Sequence, residues 1–135
     1  AELFKERFMH TYIIETDTIT AELIKYMNNV FFASKVSIMN EMKLMSDAVG
    51  ADWDAALKGF AADQRIGDSH LNVPGPDGKL GFGGSCFPKD INAFTSMASE
   101  LGIDVPTIKG AWETNLNVRP EKDWEKLEGR AVVKK

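Results

Sequence analysis

The sequence predicts a mainly α fold: a helical domain built on one long central helix, led by a short helix and strand left over from an α/β unit. Three observations carry this. From about Thr20 to Val49 there is neither Gly nor Pro, and good helix formers dominate. Three later segments open on helix-start signals, at Asp52, Pro88 and Pro106. Only Thr11–Thr16 is clearly rich in β-branched and aromatic residues, and it has no second strand to pair with.

In chain order, Ala1–Phe8 reads as a short helix with Leu3, Phe4 and Phe8 on its apolar side. Thr11–Thr16 is the candidate strand. A lone strand cannot satisfy its backbone, so this opening looks like the tail of an α/β unit. Asp17 and Thr18 can cap the next helix, and Glu22 falls in its dipole-favoured first turn. At 1.5 Å per residue, Thr20–Val49 would run roughly 45 Å. Its apolar residues, from Leu23 and Ile24 through Phe31 and Phe32 to Leu44 and Met45, occupy nearly all sides. A helix apolar all round must be covered all round. So short a chain offers little other mass, and the sequence predicts a homodimer built on Thr20–Val49.

Gly50 ends that helix, and Asp52 caps Trp53–Phe60, with Trp53, Ala56, Leu57 and Phe60 on one side. Regular structure then stops. Gly67, Pro74, Gly75, Pro76, Gly78, Gly81, Gly83 and Gly84 interrupt the chain from Asp63 to Gly84. Loops beyond ~15 residues are functional or disordered, and this one leads to the only cysteine. Pro88 suits the first turn of a helix to about Leu101, closed by Gly102. Pro106 opens another to about Asn117, and Pro120 a last short helix through Leu127. Ala131–Lys135 reads as a tail or single strand.

Composition bounds the function. The chain has 135 residues, 16 Lys+Arg against 20 Asp+Glu, and a net charge of −4. With no basic block it is a poor match for nucleic acid or an anionic membrane surface. Lys25, Asn28, Asn29, Lys35, Asn40, Glu41 and Lys43 interrupt the longest apolar stretch, which excludes a membrane span. Ala1–Lys5 lacks the order of a signal peptide and an initiating Met, and reads as a cut point inside a longer chain. The single Cys86 cannot form an internal disulfide, which points to an intracellular, cytoplasmic protein. His10 and His70 lie far apart, and no metal-site spacing exists.

Cys86 lies in Gly81-Phe82-Gly83-Gly84-Ser85-Cys86-Phe87-Pro88-Lys89-Asp90. Pro88 puts it at or just before a helix N-terminus, where unpaired N–H groups, the dipole and Lys89 stabilise a thiolate. The glycines let another molecule approach the backbone closely. Asp90, one turn on, is placed to orient water beside a thiol adduct. The competing reading is a structural cysteine at a helix start. Gly81–Cys86 is nearly a dinucleotide fingerprint, but Cys replaces the third Gly and no apolar strand precedes it, so the chain shows no cofactor domain of its own. Lys25 and Asn29, at i and i+4, share a helix face and together make an oxyanion site. A solvent-facing pair is the plainer reading, and Asn28 competes with Asn29. Arg65 enters the long loop, where a surface ion pair with Asp63 or Asp68 is the alternative. Trp53, Trp112 and Trp124 suit core and interface.

The decapeptide Gly81–Asp90 resembles the catalytic cysteine motif of the UDP-glucose 6-dehydrogenase family. Ala21–Asn29 resembles that family's lysine helix, and Asp63–Gly67 a third segment, in family order across about Thr16 to Pro120. The resemblance implies a central helical domain between two Rossmann-like domains. Residues 1–16 would then be the end of the NAD-binding domain, 17–119 the dimerisation and catalytic domain, and 120–135 a C-terminal helix and tail. It also implies NAD-dependent, four-electron oxidation of a nucleotide sugar through a Cys thiohemiacetal and thioester. By that likeness Cys86 is the nucleophile, Lys25 and Asn29 stabilise the oxyanion, and Asp90 handles water. Lys89 would reach NAD. Leu71, Asn72, Val73, Pro74, Gly75, Phe82 and Gly83 would line the sugar, and Arg65 would cross the dimer interface. Pro76–Leu80 makes the loop longer than in some members. Phe87 leans toward UDP-glucose; GDP-mannose or UDP-HexNAc are the alternatives. A dimerising module that does not turn over alone is the reading from another class.

Overall fold

A computed structural model describes residues 2–127. Five α-helices form: α1 (Glu2–Arg7), α2 (Thr18–Val49), α3 (Trp53–Ala61), α4 (Cys86–Glu100) and α5 (Pro106–Val118), followed by one 3-10 turn, Asp123–Lys126. The fold is mainly helical and built on the long helix, as the sequence predicts. Ala131–Lys135 lies outside the described residues.

Asp17 caps α2 through its side chain, accepting from the Thr20 N–H at 2.9 Å. Gly50 closes the helix in the left-handed region, at φ 70°. Along its 32 residues, about 48 Å, α2 packs chiefly against α4 and α5 and touches α3. Val30, Ala33, Ser37 and Asn40, at spacings of three and four, are buried on one stripe. Ala33, Phe82, Ile91 and Ala111 form one core, with Val36, Phe87, Ile108 and Trp112 packed against it. Met39, Leu71 and Val73 form a second, under Trp53, Leu57 and Phe60. Ser37 Oγ donates to the Ala111 carbonyl at 2.6 Å, locking α2 to α5 where Ala33 lets the helices approach.

The cover that the sequence demands for α2 is therefore supplied on one side only. Met27, Phe31, Ile38, Met42, Met45 and Val49 form a second stripe, and all are exposed.

Two expected elements differ. Among the described residues there is no strand: Thr11–Thr16 carries no ladder, because no second strand exists to receive its backbone. Lys5 pairs with Glu15 at 3.3 Å across this segment. α1 forms as expected but buries nothing, with Leu3, Phe4 and Phe8 all exposed. The expected helix Pro120–Leu127 shrinks to the 3-10 turn, since Lys122 at φ 43° turns the chain before a helix can propagate. No described helix is long and apolar enough to cross a membrane.

Candidate active site

Cys86 is the first residue of α4, preceded by Ser85 as a cap that makes no side-chain capping bond. The first-turn N–H groups therefore lack the usual side-chain partner. The thiol is free and exposed, which removes the buried structural reading. Ser85 Oγ lies 3.9 Å from Sγ.

One turn along, Asp90 is almost wholly buried, its side chain 1% exposed. A buried charge must be paired and hydrogen-bonded. Asn29 Nδ2 donates to Oδ2 at 2.5 Å, Lys25 Nζ stands 3.7 Å from the same oxygen, and Lys89 Nζ donates to Oδ1. Burial alone would push the Asp90 carboxyl up. The bonds from Lys89 and Asn29, with the charges of Lys89 and Lys25, outweigh it and hold the group below its ordinary value. Asp90 is thus an ionised carboxylate. Lys89 is raised in turn, by its bond to Asp90 first, with Tyr26 and Cys86 adding to the pull.

The pair Lys25 and Asn29 thus faces α4 and a buried partner. The same geometry selects Asn29 over Asn28, which lines a separate apolar groove with Met27, Phe31 and Ile38. Arg65 lines that groove as well. It forms the anticipated pair with Asp63, at 2.6 Å, and is largely exposed. It does not meet Cys86 within the chain.

The long loop and the start of α4 enclose a cavity of about 520 Å³, lined by Gly84 and Phe87 on either side of Cys86 but not by Cys86 itself, a size suited to a small-molecule ligand. Asn72, Gly75, Phe82 and Gly83 line it. Leu71 and Val73 are instead core residues packed with Met39, and Pro74 is exposed outside the lining. Hydrophobic side chains in a loop have only the interior to pack against, so these two anchor it from beneath.

Reading the sequence missed three kinds of residue. His70 (φ 61°) lines the cavity and stacks on Phe32, ring centroids 4.4 Å apart. Asn40 accepts from the Gly81 N–H at 3.0 Å, and fully buried Asn115 both accepts from Phe82 N–H and donates to its carbonyl, at 2.7 and 3.0 Å. A side chain at Gly81 (φ 66°) would run into Asn115. Arg119, at i+4 from Asn115, continues that row beneath the loop. No local pattern marks these residues, because distant segments bring each of them to the loop.

The arrangement offers an open thiol at a helix start, with an ammonium and an amide gathered on an ionised carboxylate one turn away. That is the donor set covalent chemistry at a carbonyl carbon requires. No group of three His, Cys, Asp or Glu able to hold a metal ion occurs among the described residues.

Known proteins resemble the chain over most of its length. Residues 19–117 match the model of the UDP-glucose/GDP-mannose dehydrogenase family, central domain. The chain is 40% identical to a UDP-glucose 6-dehydrogenase of Rickettsia felis, covering 84% of this chain and 24% of that protein. It is 40% identical to the UDP-glucose 6-dehydrogenase YwqF of Bacillus subtilis, over 78% of this chain and 23% of the relative. It is 35% identical to the UDP-glucose 6-dehydrogenase AglM of Haloferax volcanii, over 96% and 30%. The chain thus spans about a quarter of the length of the curated relatives it matches. With most of its length matched and a helical core to suit, the chain belongs to the UDP-glucose/GDP-mannose dehydrogenase family, as its central domain.

Proposed function

We propose that this chain supplies the catalytic centre and the dimer helix of a UDP-glucose 6-dehydrogenase, which oxidises UDP-glucose to UDP-glucuronate. In this reading residues 1–16 close an NAD-binding domain, 17–119 form the catalytic and dimerisation domain, and 120–135 lead out of it. The observation that carries it is the convergence of Lys25 and Asn29 on buried Asp90, one turn from exposed Cys86.

NAD, when bound, accepts a hydride in each of the two oxidations, so one alcohol and one water yield a carboxylate, two NADH and three protons. Lys89 keeps a partly exposed ammonium, paired with Asp90, and its charge fits a phosphate-bearing group arriving there. Cys86 Sγ adds to the carbonyl carbon of the sugar aldehyde, and the thiol proton passes to the oxygen, giving a thiohemiacetal. Lys25 and Asn29 donate to that oxygen while it carries charge. Oxidation of the adduct leaves a thioester on Sγ. Asp90, already ionised, orients both donors and takes a proton from the water that attacks the thioester carbon. The C–S bond then breaks, and Cys86 is regenerated.

Asn72, Gly75, Phe82 and Gly83 hold the nucleotide sugar by lining the cavity, while Leu71, Val73 and Pro74 act through the loop backbone. The bare stripe Met27–Val49 joins two copies, and Arg65, on the same face, reaches toward the partner's site. An exposed catalytic thiol needs a reducing compartment, which supports a cytoplasmic setting.

The test counts NADH by absorbance per mole of UDP-glucose consumed by the full-length protein. Two NADH, lost in Cys86→Ser, are expected. One NADH, or unchanged oxidation after Cys86→Ser, would overturn the role of the thiol. Activity on GDP-mannose or a UDP-HexNAc sugar instead would keep the chemistry and replace the substrate.

A further inference from the structure

The segment Pro76–Leu80 is tied down more heavily than a surface loop needs. Gly75 N–H donates to the Lys79 carbonyl at 2.8 Å, and Lys79 N–H to Asp77 Oδ1 at 3.1 Å, closing the segment on itself. Beneath it lies Arg119, whose side chain is 3% exposed. Its Nη2 donates to Asp77 Oδ2 and to Asp123 Oδ2, both at 2.7 Å. Nε donates to Asp123 Oδ1 at 3.0 Å, and Nη1 to the Leu80 carbonyl at 3.3 Å. Lys79 adds bonds to Asp123 at 2.9 Å and Glu121 at 3.2 Å. The guanidinium also runs directly under Gly83: a Cβ there would stand 2.5 Å from Nη2.

One planar fork thus grips the strap at Asp77 and Leu80, passes under the strand of loop that continues to Cys86, and is anchored behind by Asp123. Asp77 is the member that also lines the cavity. We propose that Arg119, with Asp77 and Asp123, is a positioning residue that fixes the 76–80 strap on the cavity rim and so sets how tightly the nucleotide sugar is held. The inference rests on the function proposed above. A loop ordered before binding spares the ligand the cost of ordering it, so the effect falls on affinity and not on the chemical step.

In the full-length protein, Asp77→Asn should raise KM for UDP-glucose ~10-fold, with kcat within about two-fold and the melting temperature nearly unchanged. Arg119→Lys keeps the charge but loses the fork, and should raise KM at least as much. Amide hydrogen exchange across 75–84 should quicken in both variants without substrate. A fall in melting temperature with unchanged KM would show a merely structural contact and overturn the proposal, as would unchanged exchange in Asp77→Asn. If Arg119→Lys fails to fold, Asp77→Asn, at a half-exposed position, decides alone. If the wild-type protein does not oxidise UDP-glucose, the functional reading falls, and exchange at 75–84 still scores the strap.

Discussion

Asn29 and Asp90, 61 positions apart, meet through a 2.5 Å hydrogen bond from the amide to the carboxylate, and this bond fixes α2 against α4 beside the thiol. Asp90 also receives Lys25 and Lys89, so a single carboxylate gathers all three of these side-chain donors. Asp90→Asn is nearly isosteric but removes the charge that orders the two lysines. Turnover of the full-length protein should drop at least ~100-fold, with the helical circular dichroism retained. Turnover within a few-fold of wild type would show that the carboxylate only joins two helices.

Acid should expose the same group. The Asp90, Asp77 and Asp123 carboxyls are each held below the ordinary 3.8. For Asp90 the lysine and amide bonds overcome burial; for the other two Arg119 leads. A carboxyl depressed in the folded state stabilises it fully above the unfolded value, and that contribution fades as pH falls toward the folded value. Stability should be flat above about pH 5 and decline progressively below about pH 4. Denaturant midpoints measured across this range should fall less steeply for Asp123→Asn, which no longer has that carboxyl to protonate. Parallel slopes would mean that the Arg119 cluster adds nothing to the acid transition.

Asn115 is fully buried and spends its amide on both backbone groups of Phe82. Replacing it with Leu keeps the bulk but leaves a buried N–H and a buried carbonyl unpaired. At ~1–3 kcal/mol for each of the two orphaned groups, Asn115→Leu should lose roughly 2–6 kcal/mol of unfolding free energy. Chemical denaturation reads this directly. A loss under about 0.5 kcal/mol, the range of an ordinary surface change, would mean that the loop relaxes to find other partners.

The helices were legible because each carries local signals: Asp17 and Asp52 as caps, Gly50 as a stop, and Pro106 as a start. The cysteine and its carboxylate were legible too, since one turn of helix fixes their spacing. Long-range choices were not. Nothing local separates Asn29 from Asn28; only the position of α4 does. Leu71 and Val73 sit in a motif that suggests ligand contact, yet apolar side chains in a Gly-rich loop gain most by entering the core with Met39. Arg119, the residue after α5, is almost wholly buried. Its burial depends on Asp77 and Asp123 arriving from two other segments, which no periodicity records.

The second stripe of α2 supports the last prediction. Met27, Phe31, Ile38, Met42, Met45 and Val49 recur at three, four and seven residues and remain between 44% and 70% exposed. A run of this length on one face marks a surface built to be covered, and a two-fold pairing would set it against its own copy. Phe31 stands well out, 64% exposed, and packs edge-on against Phe32. Phe31→Glu should therefore leave the fold of one copy intact, since a carboxylate there is fully solvated in the monomer. Across a dimer seam the same carboxylate would be desolvated opposite its twin. The dissociation constant should rise at least ~100-fold, read by sedimentation over a concentration series. Glu125→Lys, in the 3-10 turn and outside the lining of the groove, should leave it unchanged. A Phe31→Glu protein that stays dimeric would place the interface elsewhere and remove the reason for an apolar α2 face.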